Sequence, residues 1–351
     1  MGKSYFRKAI DGMEGYVPGF QPKVADYVKL NTNENPYPPS PAVLEAIRAE
    51  MSRLGRYPDP TSDAVRREVA KLFEVDVDNV IVGNGSDELL SMAVRSFVEP
   101  GEPVAYPSPT YSLYEVLVNI QGARNRPVAF PDDWSLPAGL FGNDAPLTLV
   151  SNPNSPTGTP VPPDDALRLA GSLSGVLVID EAYVDFAETH CMALAKTHAN
   201  VIVMRTVSKS YSLAGLRLGF AVASEEIIAG LMKVKDSYNL DRLAIAGGAA
   251  ALADQVHMRK NVEKVKATRT RLVRELDALG FSTLPSQANF VLTRPPDGLP
   301  APEYYEKLWE ELILIRWLDQ DRVRDYVRIS IGTDAEIDRL LTVTREILKT
   351  A

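Results

Sequence analysis

A lysine within a run of small hydroxyl residues is the first feature of this sequence that could do chemistry. Lys209 lies in the stretch Thr206-Val-Ser208-Lys209-Ser, directly after the apolar run 201–204. Such a run is typical of a buried parallel strand. A lysine amine at a strand end can form a Schiff base, and pyridoxal phosphate (PLP) is the cofactor that commonly uses this chemistry. Arg217 follows with the rigid fork of donors that suits a phosphate, although an ordinary turn with a surface lysine is the alternative.

A carboxylate and a tyrosine follow another apolar run, Val176-Leu-Val-Ile-Asp180-Glu-Ala-Tyr183. A carboxylate at a buried strand end is costly unless it is paired, and a protonated pyridine nitrogen would pair it. The alternative for Asp180 is a helix N-cap. Tyr183 could donate to the phenolic oxygen of the same ring, or it could be a core tyrosine.

A glycine-containing turn offers a place for a phosphate. Gly85, Ser86 and Asp87 follow the apolar run 80–82 and begin a helical pattern. Free N–H groups at a helix start bind phosphate. The turn is not the dinucleotide fingerprint, because Glu88 stands where the third glycine would be. Tyr111, near the next strand end, could stack on a flat ring or belong to the core.

The order of apolar runs predicts the scaffold that brings these residues together. Short β-rich runs at 80–82, 104–106, 147–150, 176–179 and 201–204 alternate with helical patterns, and 218–222 is a candidate for another strand. This alternation predicts an α/β fold with a mostly parallel sheet, which binds ligands beyond the carboxyl ends of its strands. From about residue 224 the pattern predicts a smaller α+β domain. We therefore expect an N-terminal arm over 1–38, a large domain over 39–249 and a small domain over 250–351.

Two helices can be predicted with their signals. Ser40 and Pro41 begin one whose apolar face would be formed by Leu44, Ile47, Met51 and Leu54. The last helix begins with the capping box Thr333-Asp-Ala-Glu336.

Composition narrows the classes of function. The chain has 351 residues, a net charge of -8 and no lysine/arginine block, which disfavours a nucleic-acid partner. Its single cysteine and three histidines show no spacing for a disulfide or a metal site, so no metal is expected. Without an apolar signal core or a membrane-length run, we expect a cytoplasmic protein.

Taken in order along the chain, Asp180-Glu-Ala-Tyr183, Ser208-Lys209 and Arg217 resemble the motifs of the fold-type I PLP-dependent aminotransferases. The resemblance runs from Tyr16-Val-Pro-Gly to Arg328-Ile-Ser-Ile-Gly332, and it is strongest to the histidinol-phosphate aminotransferases. It implies transamination of L-histidinol phosphate with 2-oxoglutarate, giving imidazole acetol phosphate and L-glutamate in histidine biosynthesis. An aromatic amino acid aminotransferase or a threonine-phosphate decarboxylase of the same fold is the alternative.

The resemblance also assigns roles. Lys209 would form the Schiff base and move the proton, Asp180 would hold the pyridine nitrogen, and Tyr183 the phenolic oxygen. Tyr111 would stack on the ring, and Arg316 and Arg328 would bind substrate anions with Tyr16 and Asn35 nearby. The cofactor phosphate would be surrounded by Gly85, Ser86, Asp87, Thr206, Ser208 and Arg217, with Tyr57 reaching over from the second subunit of a homodimer.

One position departs from the family pattern. The family usually has asparagine before Pro-Thr-Gly, as a ligand of the phenolic oxygen, and this chain has Ser155. Asn154 or Asn152 is therefore predicted to take over that contact.

Two other classes of function are alternatives. A PLP-fold ligand sensor would need an attached DNA-binding domain and a basic patch, and the sequence shows neither. A non-PLP α/β binding protein would leave Lys209 and Asp180 unexplained.

Overall fold

The structure is a computed structural model that describes residues 4–23 and 26–350. Its α-helices, in chain order, are α1 Lys8–Asp11, α2 Pro41–Glu50, α3 Asp63–Phe73, α4 Gly85–Phe97, α5 Leu113–Gln121, α6 Pro163–Ser172, α7 Met192–Thr197, α8 Glu225–Leu231, α9 Arg242–Ala253, α10 Gln255–Ala278, α11 Ala301–Glu310 and α12 Asp334–Thr350. Its strands are β1 Val28–Lys29, β2 Val80–Gly83, β3 Pro103–Ser108, β4 Arg124–Ala129, β5 Leu147–Ser151, β6 Val176–Asp180, β7 Val201–Thr206, β8 Gly219–Val222, β9 Ser282–Thr283, β10 Phe290–Arg294, β11 Ile313–Leu314, β12 Arg316–Trp317 and β13 Val327–Ser330.

The predicted mostly parallel sheet is confirmed. Within the described residues its strands lie in the order β2-β8-β7-β6-β5-β3-β4, and β8 alone runs antiparallel to its neighbours. The sequence prediction missed β4, because its first three residues, Arg124, Asn125 and Arg126, are polar and Pro127 follows them. That composition fits an edge strand, which is solvated along one side.

Each central strand buries both of its faces, as expected for a sheet covered by helices. In β7, Val201 and Val203 point to one face, while Ile202 and Met204 point to the other. The first face packs against α3, α6 and α7 and continues into the core of the C-terminal part. The second packs against α4, α5 and α8. The alternation follows from the two-residue period of a strand.

A second, antiparallel sheet lies in the C-terminal part, with its strands in the order β12-β13-β10-β9. The N-terminal segment was predicted to be an extended arm, and it contains the short α1 and β1, of which β1 pairs in parallel with β11. The predicted boundary between residues 249 and 250 falls inside the continuous helix α9. The capping box is present, since Thr333 N donates to Glu336 Oε2 at 2.7 Å and Glu336 N to Thr333 Oγ1 at 3.3 Å.

The predicted apolar face of α2 is partly wrong. Ser40 does cap this helix, but its buried residue is Val43, whereas Leu44 is exposed. The helix ends at Glu50, so the predicted residues Met51 and Leu54 lie beyond it, and both are exposed. The reason lies in the neighbouring helix α9. A Cβ added at Gly247 would come within 3.0 Å of Ile47, so α9 has small residues where the Val43–Ile47 side of α2 approaches. The other apolar residues of α2 face away from this chain.

Among the described helices, none is long and apolar enough to cross a membrane.

Candidate active site

The carboxyl ends of the central strands meet at one cleft. Asp180 ends β6, Ser151 ends β5, and Lys209 follows the end of β7. Parallel neighbours place these ends at the same edge of the sheet, where α/β proteins bind ligands. The cleft walls include most of the predicted residues, namely Tyr16, Ser86, Asp87, Tyr111, Asp180, Tyr183, Thr206, Ser208, Lys209, Arg217, Arg316 and Arg328.

Asp180 is a buried carboxylate, only 3% exposed. The Tyr114 hydroxyl donates to its Oδ2 at 3.0 Å, and Ala182 N donates to Oδ1 at 3.2 Å. Burial raises the pKa of Asp180 to about 6, although the Tyr114 hydrogen bond favours the charged form. Among the described residues no cation forms an ion pair with this carboxylate. A protonated ring nitrogen would supply the missing positive partner.

The Lys209 amine is lightly held within the cleft. Its Nζ lies 3.4 Å from Thr32 O and 5.6 Å from the centroid of the Tyr183 ring. The backbone of the lysine is held more firmly, because Asn35 Nδ2 donates to Lys209 O at 3.1 Å and to Ser210 O at 3.2 Å. The prediction of Asn35 as a substrate contact differs from the structure, which places its amide against this backbone rather than on the cleft wall.

A group of hydrogen-bond donors surrounds the start of α4. Arg217 adopts a left-handed backbone, with φ 53°, and its Nη2 lies 3.1 Å from Asp87 Oδ2. Ser208 and Thr206 stand beside it, with their hydroxyls 2.9 Å apart. Gly85 also has a positive φ, 77°, and a Cβ there would come within 2.5 Å of Arg217 Nη2. A helix N-terminus with a guanidinium and hydroxyls forms a phosphate cradle.

Two aromatic rings cover the cleft from the other side. The Tyr16 and Tyr111 rings meet edge to face at 6.0 Å, and the Tyr111 hydroxyl donates to Asp87 Oδ1 at 3.2 Å. Burial raises the pKa of Tyr16, so its hydroxyl stays protonated at neutral pH.

Two arginines lie side by side on the cleft wall. Arg316 and Arg328 are direct cross-strand partners on β12 and β13. Arg328 Nη2 donates to Asn31 O at 3.0 Å and Arg316 Nη2 to Val17 O at 3.3 Å, while Arg328 Nε is buried without a partner in the described part of the chain. Burial lowers the pKa of Arg328, and the charge of Arg316 acts in the same direction. Neither guanidinium forms an ion pair with a carboxylate of the described residues, so the pair is prepared for an anion.

The comparisons with known proteins agree with this geometry. The family model of the class I and II aminotransferases matches residues 25–343. The histidinol-phosphate aminotransferase 1 of Trichormus variabilis is 48% identical over 349 residues, covering 99% of both chains. The histidinol-phosphate aminotransferase of Citrifermentans bemidjiense is 47% identical, covering 97% of this chain and 98% of that one. The chain belongs to the histidinol-phosphate aminotransferase family of the class I and II aminotransferases.

A solved structure allows the cleft of this aminotransferase to be compared with a named cofactor. The crystal structure of the Sinorhizobium meliloti histidinol-phosphate aminotransferase in complex with pyridoxal-5'-phosphate has a TM-score of 0.91, 28% identity and 99% coverage of both chains. The residues of this chain fit that cofactor in three ways. Among the described residues, the buried carboxylate of Asp180 has no positive partner, and the Lys209 amine makes only one long hydrogen bond. The phosphate cradle beside Arg217 is lined by glycine. At Gly219, a Cβ would come within 2.5 Å of Ser86 N.

The loop before Pro156 corrects the prediction for the phenolic oxygen. Asn154 does not line the cleft of this aminotransferase, because its amide bonds Thr110 Oγ1 at 2.7 Å, Pro109 O at 3.1 Å and Thr157 Oγ1 at 2.9 Å. The side chain of Asn152 is also already hydrogen-bonded, because its Oδ1 accepts from Val161 N at 2.8 Å. Ser155 is the residue on the cleft wall, and its Oγ accepts from Arg328 Nη1 at 3.2 Å.

Tyr57 lies outside the cleft of its own chain. Its side chain is 77% exposed and stacks on Tyr238 with the ring centroids 4.5 Å apart. This position is compatible with a contact to another subunit of the aminotransferase, as the resemblance implies, and that contact stays a prediction.

Sequence reasoning missed several residues of the site. Thr32 O accepts from the Lys209 amine, and Asn33 Nδ2 donates to the Tyr183 hydroxyl at 3.1 Å. Both stand in Thr32-Asn33-Glu-Asn35, a segment that follows no long apolar run and so lacks the signal that marked the other site residues. Tyr114 was also missed, although it lies three residues after Tyr111. A helical spacing from a predicted cleft residue was the signal that could have found it.

Proposed function

We propose that this chain is a cytoplasmic, PLP-dependent transaminase that converts L-histidinol phosphate and 2-oxoglutarate into imidazole acetol phosphate and L-glutamate. The observation that carries the proposal is the arrangement of one cleft. The Lys209 amine and the buried Asp180 carboxylate lie in the same cleft as the Arg217 cradle, and the cross-strand pair Arg316–Arg328 also lines this cleft.

Different residues of the cleft hold different groups of the cofactor. Arg217, Ser208, Thr206 and the N–H groups at the start of α4 bind its phosphate. Asp180 keeps the ring nitrogen protonated, because a buried carboxylate is stabilised by a positive partner. Tyr183 donates to the phenolic oxygen, with its hydroxyl held by Asn33.

When bound here, the cofactor supplies an aldehyde that condenses with amines and a ring that accepts the electron pair left by a departing α-proton. Lys209 would hold the cofactor through its Nζ amine until a substrate amine takes its place. The released Lys209 amine then removes the α-proton and returns it one position away, as a general base and acid. The same residue can act in both half-reactions because it stays tethered to β7 beside the ring.

The two arginines explain how one pocket accepts both a phosphate ester and a dicarboxylate. A guanidinium presents a planar fork that matches carboxylate and phosphate equally well. Because Arg328 is partly desolvated before the substrate arrives, an incoming anion replaces little bound water. Tyr16, on the same wall, would close over the bound phosphate.

The proposal is tested by a panel of amino donors with 2-oxoglutarate as acceptor and glutamate formation as the readout. Histidinol phosphate should have the highest kcat/KM, and Arg316→Ala should lower this efficiency more than the efficiency with phenylalanine. If phenylalanine or tyrosine serves as well as histidinol phosphate, the aromatic-aminotransferase alternative replaces this proposal. Release of carbon dioxide from threonine phosphate would indicate the decarboxylase instead.

We also propose that the enzyme is a homodimer whose sites are shared between subunits. The support is a group of exposed apolar residues, with Leu44 on α2 and Met51 and Leu54 directly after it, followed by the exposed Tyr57. Apolar residues on one side of a helix usually have a partner, and a two-fold dimer is the commonest one.

Subunit mixing tests the shared site. The Tyr57→Ala and Lys209→Ala variants, each weakly active or inactive, should regain activity when they are refolded together, because one site of the mixed dimer has both residues. The matched control mixes Lys209→Ala with Asp180→Asn, two residues that one chain supplies to the same site, and this mixture should recover none. No recovery with the first pair, or an active monomer in sedimentation, contradicts the shared site.

A further inference from the structure

A buried tyrosine outside the cleft touches two of the cleft residues. Tyr114, at the start of α5, is fully buried, and its hydroxyl donates to Asp180 Oδ2 at 3.0 Å. Its ring meets the Tyr111 ring edge to face at 5.8 Å. The residue is not on the cleft wall, so it reaches the reaction only through these two neighbours. One side chain thus joins the loop after β3 to the end of β6.

The direction of the Tyr114 hydrogen bond is fixed by its surroundings. Burial, and then the charge of Asp180, raise the pKa of Tyr114 well above its usual value, so the phenol keeps its proton and acts as the donor. Ala182 N donates to the other oxygen of Asp180 at 3.2 Å. Two donors from different elements therefore fix the plane of this carboxylate. Donation to a carboxylate favours its charged form, whereas burial opposes it.

The other charged groups around Asp180 do not stabilise its charged form. Asp87, from α4, and Glu181, the next residue, both carry negative charge and disfavour ionisation of Asp180. Glu181 is itself occupied by Arg205, whose Nη2 lies 2.8 Å from Glu181 Oε2. Tyr114 is thus the side chain that stabilises the Asp180 charge within the described protein.

We propose that Tyr114 is a positioning residue, which orients the Asp180 carboxylate and keeps it charged so that the proton of the bound ring stays on the ring nitrogen. This inference rests on the proposed function, since it assumes PLP in the cleft. Without the Tyr114 hydroxyl the carboxylate becomes more basic and turns more freely. The shared proton then moves from the ring nitrogen toward Asp180, and the ring becomes a weaker acceptor of electrons.

The test uses Tyr114→Phe, which keeps the ring and its contact with Tyr111 but removes the hydroxyl. Tyr106→Phe is the matched control. Tyr106 is a neighbouring buried tyrosine, with its ring 6.2 Å from that of Tyr114, and its hydroxyl donates to Asn125 at 2.9 Å, away from Asp180. Each variant loses one hydroxyl from the same core, so a purely structural effect would appear in both.

Two measurements are made on the proteins loaded with cofactor. The first is the ¹⁵N NMR signal of cofactor labelled at its ring nitrogen, which distinguishes the protonated from the unprotonated ring. The second is the single-turnover rate with histidinol phosphate. Tyr114→Phe should move the signal toward the unprotonated ring and slow the turnover by about ten- to a hundredfold, the usual effect of a lost hydrogen bond to a charged group. The KM for 2-oxoglutarate should stay within about twofold, since the Arg328 site is untouched.

The outcomes separate this inference from the function on which it depends. If wild-type protein binds no PLP or does not transaminate, the proposed function fails before any variant is tested. If wild-type protein works and Tyr114→Phe matches Tyr106→Phe in both measurements, the role of Tyr114 is wrong. Should Tyr114→Phe fold poorly, 3,5-difluorotyrosine placed at position 114 provides a more acidic donor of the same shape. It should move the nitrogen signal toward the protonated ring, and a shift in the other direction would overturn the proposal.

Discussion

Arg328→Ala is the substitution with the clearest expected cost. In the structure Arg328 donates one N–H group to Asn31 O and another to Ser155 Oγ, and its buried Nε has no partner among the described residues. The remaining donors are available to an anion. Each charge-assisted hydrogen bond is worth about 1.5–3 kcal/mol, and 1.36 kcal/mol is a factor of ten in rate. Because water can enter the space left by alanine, we count one such bond as lost. The expected fall in kcat/KM is roughly ten- to a hundredfold.

The fall should appear with both reaction partners, because one guanidinium serves both half-reactions. The assay is kcat/KM for histidinol phosphate and for 2-oxoglutarate, measured on protein whose cofactor content and melting temperature have been checked. Arg328→Lys should recover part of the loss, since it restores the charge without the fork. Arg324→Ala is the control, an exposed arginine of the preceding loop that pairs with Asp321 at 2.9 Å. Efficiencies of Arg328→Ala within about threefold of wild type for both partners would refute the assignment of this arginine.

Three further predictions address the amine, the carboxylate and the ion pair beneath them. Lys209→Ala should fold normally and lose transamination, and borohydride reduction of the wild type should label the peptide that contains Lys209. A label on another peptide would rule that lysine out. As the pH rises from 4 to 7, cofactor-free wild type should lose about 2.4 kcal/mol of unfolding free energy relative to Asp180→Asn, because the folded pKa of this acid, about 6, lies above its ordinary 3.8 and folding therefore favours the protonated form. Parallel pH curves for the two proteins would contradict the burial of this charge. Glu181→Gln should cost about 3 kcal/mol in urea unfolding by leaving the buried Arg205 poorly paired, whereas Arg339→Gln, in the exposed pair with Glu311, should cost less than about 0.5 kcal/mol. Equal losses would contradict the cost assigned to an unpaired buried guanidinium.

The sheet and the strand-end motifs were predictable because their signals are local. The runs that became β2, β5, β6 and β7 are continuous and apolar, and each ends in the polar residues that the strand delivers to the cleft. The polar edge strand β4 lacks such a signal, and its pairing with β3 is a long-range contact. Propensity cannot find a strand of this composition, because its place is decided by the neighbouring strand.

Other errors have the same origin in packing between distant segments. The outward direction of Leu44 and Leu54 depends on Gly247 in α9, which allows the opposite side of α2 to approach. Asn154 is held outside the cleft partly by a hydrogen bond from Thr110, which is 44 residues away in the sequence. The Tyr114–Asp180 bond likewise joins residues that only the sheet topology brings together. A sequence pattern identifies which residues are polar, but not which of them are already satisfied.

The half-reaction measured alone tests the central claim most directly. The cofactor-loaded protein is mixed with histidinol phosphate in a stopped-flow instrument without any acceptor. The visible absorption of the lysine-bound cofactor should decay in one turnover to that of its amine form, and 2-oxoglutarate added afterwards should restore it. Phenylalanine should produce the same change much more slowly. No spectral change with histidinol phosphate, or an equal or faster change with phenylalanine, would contradict a site built for histidinol phosphate.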